Sequence, residues 1–136
     1  MYCLDTDVLS AVLRRDPPLH LVRRLARTPP TEQCTTAITL GELLYGVARR
    51  GNPALAERVR DLIASAGPIL PFDEAAAQRY GPLCADLEGA GRRLAEPDLR
   101  IAAIALSRDA TLVTGNVRHF ARVRDLRIEN WLTDEG

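Results

Sequence analysis

Residues 4–10 read Leu4-Asp5-Thr6-Asp7-Val8-Leu9-Ser10, and the reading of this stretch decides the fold. Residues 1–4 are short and apolar, as a buried strand would be, and Asp5 or Thr6 can cap a helix over 8–14. An acid where a strand-like or loop segment hands over to a helix recurs twice. Glu42 sits in the first turn of a helix that follows extended residues 33–36, and Asp98 opens a helix just after Pro97. In an alternating α/β sheet the strand-to-helix junctions lie along one edge, so Asp5, Glu42 and Asp98 are expected to converge in one crevice. Converging carboxylates repel unless a cation sits among them. Oxygen-only ligands favour a hard ion, Mg²⁺ or Mn²⁺, which works mainly on phosphate esters. The chain therefore reads as a small metal-dependent phosphodiesterase.

Working outward, residues 17–27 carry Leu21, Val22 and Leu25 at helical spacing until Thr28-Pro29-Pro30 stops them. Leu40, Leu43, Leu44, Val47 and Ala48 mark an amphipathic helix over 39–50 that Gly51 ends. A further helix spans 53–66, and Gly67-Pro68 leads into a strand over 69–72. Asp73 caps the next helix, whose Ala76, Tyr80, Leu83, Cys84 and Leu87 line one face. The helix over 98–107 is apolar almost all round, as expected of one buried mid-domain. Strands are expected over 111–114 and, at the sheet edge, over 126–131. Strands alternating with helices imply a three-layer α/β domain with a central parallel sheet of four or five strands. With no repeat, low-complexity stretch or linker, residues 1–136 are expected to form a single domain.

At 136 residues the chain can bury about two thirds of the surface its unfolded form exposes. No apolar run approaches the roughly 20 residues that cross a bilayer. No basic leader precedes Asp5, so a cytoplasmic protein with no membrane partner is the expectation. Net charge is zero and gives no hint of nucleic-acid binding. All 18 basic residues are arginine, which excludes any mechanism that needs a lysine, such as that of a receiver domain. Cys3, Cys34 and Cys84 are widely spaced in apolar contexts and read as reduced core thiols.

Each acid also has a plain structural reading. Asp5 can simply cap the first helix, Thr39-Leu40-Gly41-Glu42 has the form of a capping box, and Asp98 favours a helix dipole. What speaks for a site is that all three share one edge. Helix N-termini there would also offer amides to a phosphate oxygen. Asp7 is either a fourth carboxylate or an acid favoured by the first helical turn. Thr114-Gly115-Asn116-Val117-Arg118-His119-Phe120 follows a strand on the same edge. Thr114 and Asn116 could add neutral oxygens, and Arg118 and His119 could reach a phosphate; equally, this is a turn with Asn116 as its cap and Phe120 in the core. His20 reads as structural.

These residues resemble PIN-domain ribonucleases, and most closely the VapC-type toxins of toxin-antitoxin pairs. The matching stretches are Leu4 through Ser10, TLGELLYG over 39–46, Asp98 with Ile101-Ala102-Ala103, and Leu112 through Asn116 with His119-Phe120. The resemblance implies a Mg²⁺-dependent endoribonuclease, usually a homodimer, held inactive by a cognate antitoxin over the acidic pocket. By position, Asp5 and Asp98 resemble the principal metal ligands and Glu42 the third catalytic acid. The family often has a fourth acid just before the position of Phe120, where this chain has His119; Asn116 or Asp7 is the candidate substitute. Arg14, Arg15, Arg49 and Arg50 are candidates for holding RNA phosphates. Two rival readings are a haloacid-dehalogenase-like phosphatase, suggested by Asp5-x-Asp7, and a PIN-like binding module without catalysis.

Overall fold

The computed structural model describes residues 1–133, and among them five strands and seven α-helices alternate along the chain. In order they are β1 (Tyr2–Leu4), α1 (Thr6–Val12), α2 (Leu19–Arg27), β2 (Gln33–Thr36), α3 (Ala37–Arg50), α4 (Pro53–Ser65), β3 (Ile69–Leu70), α5 (Glu74–Gly89), α6 (Glu96–Ser107), β4 (Thr111–Val113), α7 (Val117–Phe120) and β5 (Ile128–Glu129). The strands form one parallel sheet in the order β3-β2-β1-β4-β5, which completes the expected three-layer α/β architecture.

Side chains alternate across the sheet. Cys3, Cys34 and Leu112 point into a core closed by α5 and α6, where Leu83, Leu87 and Ile101 through Ile104 are buried. Leu4 and Val113 face the opposite core with Val8 and Leu9 of α1, Leu43 of α3, Val59 of α4 and Trp131. The α6 run 101–105 is wholly inaccessible, which accounts for its nearly uninterrupted apolar sequence. Truncating Ile104 to alanine there would cost about 2–5 kcal/mol. Arg24 of α2 lies 4.8 Å from the Trp131 ring centroid and pairs with Glu129, fastening the C-terminal edge to the domain. Cys3 and Cys34 are buried and Cys84 half-buried, all as free thiols.

Several boundaries differ from those expected. α3 starts at Ala37 because Thr36 is its cap, its hydroxyl accepting from the Thr39 amide at 3.0 Å. The capping box expected of Thr39 and Glu42 is therefore not formed. α6 starts at Glu96, with Pro97 inside the first turn, so Asp98 is a first-turn residue rather than the opener. α1 starts at Thr6, and β3 stops before Pro71, which lacks a ladder donor.

β1 is central, with β2 on one side and β4 on the other. The chain runs outward from β1 through β2 and β3, then returns to build β4 and β5 on the opposite flank. That reversal creates a crevice at the C-terminal ends of β1 and β4, where open α/β sheets place their ligands.

Candidate active site

Asp5 immediately follows β1, and its amide donates to the Val113 carbonyl at 2.9 Å, which carries the strand pairing past the end of β1. Its side chain is only 5% exposed. Oδ1 caps α1 by accepting from the Thr6 amide at 2.8 Å, and Oδ2 accepts from the Thr114 hydroxyl at 2.8 Å. The expected capping role of Asp5 is thus realised, while its second oxygen is held by Thr114. Burial, the nearby Asp7 charge and, more weakly, Asp98 push its pKa up to about 7, against the opposing pull of the Thr114 and Thr6 hydrogen bonds.

Asp7 faces the same crevice. Its Oδ2 accepts from the Gly115 amide at 2.9 Å, and burial raises its pKa despite that bond. Gly115 leaves room for this approach: a Cβ there would come within 2.5 Å of Leu132 Cδ1 and 2.9 Å of Asp7 Oδ2, so those side-chain ends would have to shift. Thr114 has one hydroxyl proton, which goes to Asp5; its oxygen in turn accepts from the Asn116 amide at 3.0 Å. The Asn116 side chain is exposed and makes no capping bond, contrary to its expected use as a cap.

Glu42 lies on α3, where its Oε1 accepts from the Thr6 hydroxyl at 2.6 Å. Thr39 stands 3.2 Å from the same hydroxyl and Thr36 3.3 Å from Thr39, so a chain of threonines ties the start of α3 to the start of α1. Asp98 enters from α6 about a quarter exposed, with its Oδ2 2.9 Å from His119 Nε2 on α7. His119 therefore occupies the crevice as a partner of Asp98. Arg118, on the same short helix, is exposed.

The sheet edge thus brings Asp5, Asp7 and Asp98 together with Thr114 and His119, and Glu42 is joined to them through Thr6. Among the described residues no arginine pairs with Asp5, Asp7, Glu42 or Asp98. Each acid has instead taken a hydroxyl, amide or imidazole donor. No three His, Cys, Asp or Glu side chains among those residues are gathered closely enough to hold a metal as they stand. The donor chemistry nevertheless fits a hard divalent cation: carboxylates at one end of the sheet, without an arginine countercharge among the described residues, and accompanied by neutral oxygens. Sequence reasoning passed over Thr6 as the partner of Glu42 and Gly115 as the donor to Asp7. The signals available were a hydroxyl between two acids and a glycine directly after a strand.

The chain matches the PIN domain family over residues 2–126. It is 34% identical over 131 residues to Ribonuclease VapC2 of Haemophilus influenzae, covering 96% of this chain and 98% of that protein. It is 33% identical over 130 residues to the tRNA(fMet)-specific endonuclease VapC of Shigella flexneri, covering 96% and 97%. Among solved structures, DNA-bound VapBC from Salmonella typhimurium superimposes with a TM-score of 0.87 at 32% identity, over 96% of this chain and 97% of that one. VapBC2 from Rickettsia felis, bound to a promoter DNA fragment, gives 0.86 at 30%, over 96% and 98%.

Proposed function

This chain belongs to the PIN-domain family as a VapC-type endoribonuclease, and from that premise we propose that Asp5, Glu42 and Asp98 are its catalytic acids, with Asp5 and Asp98 as the direct ligands of a divalent cation, Mg²⁺ or in its place Mn²⁺. The observation that carries the reading is Asp5: a buried carboxylate, raised to about 7, with Asp7 and Asp98 adding to its repulsion and no arginine paired with it among the described residues. Such a group gains most from a cation at its open side.

When bound, the cation supplies an acidified water and offsets charge on the phosphate. The protein does the rest. Thr114 and the Thr6 amide hold the Asp5 carboxylate in one orientation, and the Thr6 hydroxyl does the same for Glu42. Glu42 receives the proton of the attacking water as it adds in line to the phosphorus. The P–O3′ bond breaks, leaving a 5′-phosphate and a 3′-hydroxyl. His119 fixes Asp98, and Asp7, Thr114 and Asn116 are accessory groups of the crevice.

The partners proposed with this activity are an RNA substrate, a cognate antitoxin and a second copy of the chain, whose residues act as one domain. Exposed Leu19 and Val22 on α2, and Leu44 and Tyr45 on α3, supply apolar surface for the protein partners. No helix among the described residues is long and apolar enough to cross a membrane.

The experiment is incubation of total cellular RNA with the purified protein in Mg²⁺ or in EDTA, followed by mapping of new 5′ ends. Discrete 5′-phosphate ends that need Mg²⁺ and vanish with Asp98→Asn are expected. Absence of new ends with either Mg²⁺ or Mn²⁺ would leave the catalytically silent reading in place.

A further inference from the structure

A cleft of about 590 Å³ lies between α1, α3 and α4, and Thr6 and Glu42 form part of its wall. Because the same two residues are hydrogen-bonded at the rim of the acidic crevice, cleft and crevice share a side. Glu42 is the sole carboxylate among the lining residues, and against it stand Arg14, Arg15, Arg50 and Arg58. Arg14 and Arg15 follow the C-cap of α1, Arg50 is the last residue of α3, and Arg58 is carried by α4. The Arg58 guanidinium donates to the Leu13 carbonyl, so α4 is fastened to the end of α1 and the wall is held in place.

Arg14, Arg15 and Arg50 have no carboxylate partner among the described residues, whereas Arg24, Arg108 and Arg127 each have one. In a chain of zero net charge this is a local excess of positive charge beside the acids. An arginine at a helix C-terminus gains about 0.3–1 kcal/mol from the dipole, but that does not require three segments to deliver guanidinium groups into one cleft. The remaining lining is partly apolar, with Leu13, Val47 and Leu55.

We propose that this cleft holds the RNA strand on one side of the scissile bond, its arginines on successive backbone phosphates; this rests on the ribonuclease reading of the crevice. A strand cut at the acids must leave the crevice along an adjoining wall, and the Thr6–Glu42 wall leads to four guanidinium groups. Guanidinium forks match phosphate oxygens in pairs, and an apolar lining accepts base faces without reading their identity. The contact is therefore sequence-independent and serves strand binding rather than target choice.

The test uses the full chain in EDTA, so that nothing is cut, and a fluorescein-labelled uridine dodecamer followed by anisotropy over a range of salt. Arg14→Gln/Arg15→Gln/Arg50→Gln is compared with Arg79→Gln/Arg92→Gln/Arg122→Gln, which removes the same charge from exposed positions elsewhere. The cleft variant is expected to bind roughly tenfold or more weakly, with the slope of log K against log salt reduced by about 2, the value for three single-strand phosphate contacts. The distant variant is expected to bind like wild type. In Mg²⁺ the cleft variant should raise KM with little change in kcat. Arg50→Gln alone, at an exposed helix end, should give a smaller loss of the same sign if the triple variant folds poorly.

Equal weakening by the two triple variants, or wild-type binding by the cleft variant, overturns the proposal. In the second case, loss of binding to a labelled polyglutamate peptide would assign the cleft to an acidic protein segment instead. Failure of the ribonuclease reading looks different: wild type would bind the dodecamer through the cleft yet cut no RNA with Mg²⁺ or Mn²⁺.

Discussion

Thr114 Oγ1 donates to Asp5 Oδ2 across 2.8 Å, joining residues 109 positions apart that each directly follow one of two adjacent strands, β4 and β1. The bond exists because the sheet reverses its winding at β1, and it aims a buried carboxylate at the crevice. Without it Asp5 would have one donor, the Thr6 amide, against the charges of Asp7 and Asp98. Thr114→Val keeps the shape and removes the hydroxyl. It also strands the Asn116 amide. The expected result is a loss of about 1–3 kcal/mol in stability and a weaker hold on divalent metal, measured by chemical denaturation and by metal titration.

Replacing Asp5 or Asp98 with asparagine separates stability from activity. Each change removes one negative charge from a mutually repelling group, so the metal-free protein should unfold at an equal or higher temperature, with the larger gain at the more buried Asp5. RNA cleavage should fall by at least about a hundredfold, since each change also removes a proposed metal ligand. A variant that cuts at the wild-type rate would refute its assignment.

The raised Asp5 pKa fixes a pH dependence for the metal-free protein. The ordinary value is 3.8 and the folded one about 7, so between them the folded state binds more protons than the unfolded. The group's contribution to stability is complete below the ordinary value and is lost as pH rises to the folded one. Asp7 is shifted in the same direction and adds to the effect. In EDTA the melting temperature should therefore fall from about pH 5.5 to about pH 7.5, and Asp5→Asn should flatten the fall. Saturating Mg²⁺ should reverse the trend, because a cation favours the ionised carboxylates.

His119→Ala tests a positioning role through Asp98. Loss of the 2.9 Å contact frees the Asp98 carboxylate to rotate, and removal of such a supporting partner typically costs about 10–100-fold in metal affinity or activity. His119→Gln, whose amide can still donate, should recover part of the loss. If alanine and glutamine behave alike, the imidazole acts on something other than the orientation of Asp98.

The strand-to-helix handovers were legible because they rest on local signals: an apolar run, a capping side chain, then helical periodicity. Such a junction exists for Asp5 after β1 and for the start of α3 after β2, but not for Asp98, because α6 follows α5 with no strand between them. The capping-box reading of Glu42 failed because two cap candidates, Thr36 and Thr39, lie three residues apart, and only the pairing of β2 with β3, which sets Thr36 opposite Leu70, decides that Thr36 ends the strand. Glu42 was thereby released to bond Thr6. The close approach of Gly115 to Asp7 and Leu132, and the meeting of Arg14, Arg50 and Arg58 around one cleft, depend on segments distant in sequence. No local pattern encodes either.

The most direct measurement is a calorimetric titration of Mg²⁺, and of Mn²⁺, into the metal-free protein, with wild type beside Asp5→Asn, Asp98→Asn and Thr114→Val. The account predicts saturable binding by wild type, weakened binding by Thr114→Val, and loss of binding in both asparagine variants while their helical content is unchanged. Asparagine variants that bind the ions as tightly as wild type would contradict it, because the metal would then sit somewhere other than the crevice at the ends of β1 and β4.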